Sequence, residues 1–215
     1  RSIDGSVMLH ADLSDLATYH CNDMVVDTTG RAFVGNFGFN LDEAMATRSV
    51  EDVIANHQTA KLACISPSGT VRVAADDMHF PNGSVITPDG KTLIVGETVG
   101  FCLTAFDIGS DGSLANRRVW APTLPRIPDG ICLDASGAVW FANPMAGECV
   151  RIAEGGEVLE VIETGQLCFA CMLGGDDGKT LFMLTADSSD AHVASEKPTG
   201  RIVTCRVEVG RAGLP

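Results

Sequence analysis

Four stretches of the chain superpose without gaps, and this internal repeat limits the possible folds more than any other feature. They are Asn22 to Phe37 (NDMVVDTTGRAFVGNF), Asn82 to Glu97 (NGSVITPDGKTLIVGE), Asp129 to Pro144 (DGICLDASGAVWFANP) and Ala170 to Thr185 (ACMLGGDDGKTLFMLT). Each carries a glycine eight positions after its first residue: Gly30, Gly90, Gly137 and Gly178. Apolar residues follow at the next strand: Phe33 and Val34, Leu93 and Ile94, Trp140 and Phe141, Leu181 and Phe182. Each stretch therefore reads as strand, glycine turn, strand. A second hairpin turns at Gly69, Gly112 and Gly156. The repeats start 60, 47 and 41 residues apart, the size of a four-stranded propeller blade. An all-β propeller with about four blades is expected. Gly5 to Leu9 reads as the last strand of a preceding blade, and Arg201 to Val209 as a third strand with no fourth. Residues 40–61 lengthen the first repeat and read as an inserted loop or helical turn, a possible lid.

The first residue of each repeat forms the column Asn22, Asn82, Asp129, Ala170. Equivalent strand starts meet at one rim of a propeller channel, and three of these side chains are short oxygen donors suited to a hard cation. Gly83 and Gly130 follow two of them and allow close backbone approach. Asn-Gly and Asp-Gly are also turn dipeptides, but the hairpin turn is already supplied eight residues later.

Charge narrows the partners. With 15 Lys and Arg against 28 Asp and Glu, the net charge is −13, which disfavours nucleic acid and anionic membrane surfaces. No apolar run approaches the ~20 residues of a membrane-spanning helix. Hydrophobic residues at 45% exclude a disordered chain. The eight cysteines mostly lie in apolar alternation, as expected for buried, reduced thiols in a cytoplasmic protein. Cys168 and Cys171 form one C-x-x-C, read as packing ahead of zinc or redox chemistry. Because residue 1 is Arg, the chain reads as cut or processed.

The motifs Asn22-Asp23-Met24-Val25-Val26-Asp27, Phe80-Pro81-Asn82-Gly83, Pro88-Asp89-Gly90-Lys91 and Ile127-Pro128-Asp129-Gly130 resemble the SMP-30/gluconolactonase/LRE-like family. The resemblance extends through Cys168 to Leu173. It implies a six-bladed β-propeller holding one divalent cation, calcium foremost, with zinc, manganese or magnesium as alternatives. By that likeness Asn82 and Asp129 are metal ligands, and Asp129 is also the general base. Asn22 and His20 contact the substrate, a sugar-acid lactone or similar ester. The family's metal-binding glutamate precedes these repeats and has no counterpart here, because Glu97 and Glu148 end other repeats. The expectation is thus an N-terminally truncated propeller over 1–215 with weakened cation binding and open edges that favour self-association. A non-catalytic calcium- or ligand-binding propeller, or an inactive fragment, is the alternative.

Overall fold

The computed structural model describes residues 5–213. Fifteen strands among them form four antiparallel sheets, each a meander in chain order. Blade 1 holds β1 (Cys21–Val26), β2 (Ala32–Asn36), β3 (Ala60–Ile65) and β4 (Val71–Met78). Blade 2 holds β5 (Pro81–Ile86), β6 (Thr92–Glu97), β7 (Cys102–Ile108) and β8 (Leu114–Pro122). Blade 3 holds β9 (Ile131–Leu133), β10 (Val139–Asn143), β11 (Glu148–Ile152) and β12 (Val158–Glu163). Blade 4 has three strands, β13 (Leu167–Gly174), β14 (Thr180–Ala186) and β15 (Arg201–Arg206). The inner strands pack in the order β1, β5, β9, β13. This is a β-propeller of consecutive blades, and the turn glycines Gly30, Gly90, Gly137 and Gly178 all take the left-handed backbone that the hairpins demand.

Strand alternation sends successive side chains to opposite neighbours. On β6, Leu93 and Val95 join Val25, Phe33, Leu62 and Met78 of blade 1, while Ile94 faces blade 3. On β10, Val139 and Phe141 pack against blade 2, while Trp140 and Ala142 meet Leu173, Leu181 and Met183 of blade 4. The core is therefore divided among three interfaces between neighbouring blades.

Four expectations change. Residues 6–13 form no strand: Val7, Met8 and Leu9 are exposed, while Ala11, Leu13 and Leu16 lie on the outer face of blade 1 against Val34, Ala63 and Ile65. The last strand stops at Arg206 rather than Val209, and the tail returns to blade 3, where Ala212 N donates to Leu133 O and Arg211 bridges Asp134. The 40–61 segment contains two short helices, α1 (Leu41–Thr47) and α2 (Val50–Asn56), and its last two residues already belong to β3. A third helix, α3 (Ala191–Glu196), lies between β14 and β15, where no sequence signal was read.

The fourth change concerns the column. Gly83 N donates to Asp129 O (3.2 Å), joining β5 to β9 one blade on. The equivalent bond from Gly130 N ends on Phe169 O (3.0 Å). Phe169, not Ala170, is thus the blade 4 counterpart of Asp129. β1 and β5 carry the same kind of irregularity, between Cys21 and Met24 and between Pro81 and Ser84, but in β13 it falls earlier in the repeat, between Cys168 and Ala170, a difference that a gapless alignment cannot see.

Candidate functional site

The two glycines explain why the strand starts converge. A Cβ on Gly83 would lie 2.4 Å from Ile131 N and 2.6 Å from Asp129 O, and one on Gly130 would lie 2.8 Å from Ala170 Cα. Only glycine lets these inner strands touch. Behind the convergence stands a second polar column at the ends of the neighbouring strands: Asn36, Glu97, Asn143 and Thr185, all buried. Each holds a rim loop. Asn36 Oδ1 accepts from Gly38 N, Glu97 from His79 N, and Asn143 from Met145 N, while Thr185 Oγ1 donates to Gln166. Glu97 is further satisfied by Thr104 and Arg117, so its buried carboxylate is a structural anchor.

At the rim the structure brings together Asn82, Asp129 and Asp23. Asn82 is buried; its Nδ2 donates to Thr98 Oγ1 (3.0 Å), and its Oδ1 has no hydrogen-bond partner. Asp129 is half-buried, and its carboxyl is pushed up to about 7 by burial first and then by the negative charge of Asp23, against hydrogen bonds from Asn82 and Gly130. Partial burial also raises Asp23. Nothing in the sequence assigned Asp23 a role; the only signal was its place directly after Asn22. Asn22 sits at the equivalent point on β1, and its buried Nδ2 lacks a partner. His20 is exposed just before β1, its ring 4.2 Å from Tyr19 and edge-on to Phe37 at 6.3 Å. Phe37 in turn stacks on Phe80 (4.3 Å), giving the mouth an aromatic wall.

The insert reaches the same rim. His57, just after α2, sets Nε2 2.9 Å from His79 Nδ1. His57 Nδ1 faces the Val53 and Ile54 carbonyls, which only accept, so Nδ1 carries the proton and Nε2 accepts from His79. His79 lies three residues before Asn82.

Among the described residues, no three His, Cys, Asp or Glu side chains are grouped to hold a metal. The rim offers a different donor set, the unpartnered Asn82 amide oxygen beside two carboxylates. Those are hard oxygen donors, and a buried amide oxygen without a partner is what a missing cation would leave. The residues fit such an ion, with Asn82 and Asp129 the side chains that would hold it. No helix of the described residues is long and apolar enough to cross a membrane.

Comparison with known proteins adds the family and the fold. Regucalcin of Danio rerio is 26% identical over 216 residues, covering 98% of this chain and 69% of its own length. Regucalcin of Oryctolagus cuniculus is 27% identical, covering 90% and 64%. The chain thus spans about two thirds of these relatives. Among solved structures, a calcium-binding regucalcin from Agrobacterium tumefaciens superposes with a TM-score of 0.73 at 20% identity, over 98% of this chain and 68% of that one. A gluconolactonase from Xanthomonas campestris gives 0.61 at 25% identity, over 78% and 54%. The SMP-30/Gluconolactonase/LRE-like description matches residues 2–187, a span that includes every rim residue described above, and the chain belongs to that family.

Proposed function

We propose that this chain acts as a metal-dependent lactone hydrolase, in which Asp129 is the general base and Asn82 and Asp129 would hold one divalent cation, calcium foremost. The observation that carries the reading is the buried, unpartnered Asn82 Oδ1 beside the neighbouring carboxyls of Asp129 and Asp23. The relatives called gluconolactonase and regucalcin support a sugar-acid lactone or similar ester as substrate.

A bound cation would polarise the ring carbonyl and stabilise charge on its oxygen. Asp129, as the carboxylate, accepts a proton from water, with a proton affinity that a bound cation would lower. Asp23 keeps that affinity high through its charge. The free Nδ2 of Asn22 donates to a substrate oxygen, and His20 at the exposed mouth contacts the substrate's outer part. The helical insert, pinned by His57 and His79, serves as the lid. The free state of all eight cysteines supports a cytoplasmic location.

The test is turnover of a lactone panel, with calcium, zinc, manganese or magnesium and with chelator. Asp129→Asn should lose ~10²–10⁴-fold in kcat. Asn82→Ala should recover partly as cation is raised, and His20→Ala should mainly raise KM. Cation binding without turnover on any lactone would instead assign the chain as a binding propeller. Near-full turnover of Asp129→Asn at saturating cation would remove Asp129 as the base.

A further inference from the structure

An asparagine amide has an acceptor end and a donor end of nearly the same shape, so a neighbour must decide which end of Asn82 stays free. Thr98, in the turn between β6 and β7, decides it. Its Oγ1 lies 3.0 Å from Asn82 Nδ2 and 2.9 Å from Pro128 O. A carbonyl oxygen only accepts, so the single hydroxyl proton goes to Pro128. The hydroxyl oxygen then faces Asn82 with lone pairs alone, and only the NH2 end of the amide can answer them. The reversed amide would set oxygen against oxygen with no proton between them. Asn82 Oδ1 is thereby the atom left free, buried and without a partner.

The hydroxyl is itself held in place. Thr98 N donates to Phe80 O (3.1 Å) and Val99 N to His79 O (3.2 Å), which straps the turn to the segment entering β5. Pro128 directly precedes Asp129, so one side chain links Asn82 of blade 2 to the segment that delivers Asp129 in blade 3. Asp129 also accepts from the Asn82 amide, but its charge varies with pH, while the Thr98 hydroxyl stays neutral. The other blades supply a contrast. Thr98 follows Glu97, whereas Phe37, Pro144 and Ala186 follow Asn36, Asn143 and Thr185. Blade 2 alone has a hydroxyl at that point, and Asn22 of blade 1 leaves Nδ2, not Oδ1, unpartnered.

We propose that Thr98 is a positioning residue: by accepting from Asn82 Nδ2 and donating to Pro128 O, it keeps Asn82 Oδ1 free for a divalent cation and fixed relative to Asp129. This role rests on the reading that Asn82 and Asp129 hold such a cation. Thr98 touches neither the cation nor the substrate and acts through Asn82 alone. Hydrogen bonds that orient metal-holding groups in this way are worth about 10–100-fold in metal affinity.

The experiment measures calcium binding to the whole chain by titration calorimetry at about pH 8, above the Asp129 value of about 7. Zinc, manganese and magnesium follow in turn. Thr98→Val keeps the branched shape and removes the hydroxyl; Thr98→Ser keeps the hydroxyl. The expected result is an affinity about 10–100-fold weaker for Thr98→Val and near wild type for Thr98→Ser, with the cation-free melting temperature of the two variants alike. Turnover of Thr98→Val should recover as cation is raised. Wild-type affinity in Thr98→Val, or equal losses in both variants, would overturn the role of Thr98 and leave the cation reading standing. A wild type that binds none of the four cations would overturn the cation reading and this role with it. The wild type alone gives a second readout that needs no cation and no variant. The Asn82 side-chain NH2 protons, followed by NMR in asparagine-labelled protein, should exchange slowly with solvent and show a nuclear Overhauser contact to the Thr98 methyl. Fast exchange without that contact would overturn the proposal.

Discussion

Asp129 meets opposing demands. Burial and the neighbouring Asp23 favour its protonated form, while a cation or a base role needs the carboxylate. With its pKa lifted from 3.8 to about 7, the folded chain holds a proton there that the unfolded chain has lost. Its contribution to stability is complete below about pH 4 and disappears as pH rises through about 7. The cation-free protein should therefore lose melting temperature between about pH 4 and about pH 7, and Asp129→Asn should flatten that slope. Cation affinity should rise over the same window, since binding displaces the proton. Thermal unfolding and cation titration across pH check both; a wild-type slope equal to that of Asp129→Asn would contradict them. The oxygen donors were legible because Asn22, Asn82 and Asp129 stand at the same place in three repeats. Asp23 was not, because its effect is felt across the channel rather than along the chain. Ala170 was put in the column in place of Phe169 because the position of a strand irregularity leaves no mark in a gapless alignment.

At the level of elements, the insert is the least self-sufficient part. α1 and α2 have seven residues each and bury only Ala44 and Val53, too little to hold helices of that length by themselves. Their starts are capped by Asn40, which accepts from Glu43 N, and Ser49, which accepts from Asp52 N. A further hold is the bond between His57 and His79. His79→Ala should raise amide exchange across residues 41–56 while leaving the four sheets protected, and should raise KM if the insert covers bound substrate. Unchanged exchange there would show that the helices are held by other contacts. The polar run gave away the insert, and Leu41-Asp42-Glu43-Ala44-Met45 suggested a helical turn. Which rim residue it grips could not be read, because His79 lies 22 positions further on, in the link between β4 and β5 that joins blade 1 to blade 2.

Across the whole molecule, the end blades leave apolar surface uncovered. On blade 4, Met172, Leu184 and Ile202 are exposed, and on blade 1 Met24 and Val26. Contiguous apolar faces of this kind favour association. Light scattering should show concentration-dependent oligomers that Ile202→Lys reduces; a clean monomer at high concentration would count against it. The exposed faces were foreseeable from the repeat count, but the covering of blade 1 by Ala11, Leu13 and Leu16 was not, since those residues carry no strand pattern. The division of the core into three separate interfaces has a thermodynamic consequence. Each blade feels only its neighbours, so the chain should melt as a short one-dimensional array, with graded loss from the ends rather than one cooperative step. Nature has placed one reporter at each of two interfaces: Trp120 between blades 2 and 3, and Trp140 between blades 3 and 4. Trp120→Phe and Trp140→Phe leave a single indole each. The Trp140 signal should fade at lower denaturant than the Trp120 signal, because the three-stranded terminal blade frays first. Coincident curves would mean that the array holds together as one unit.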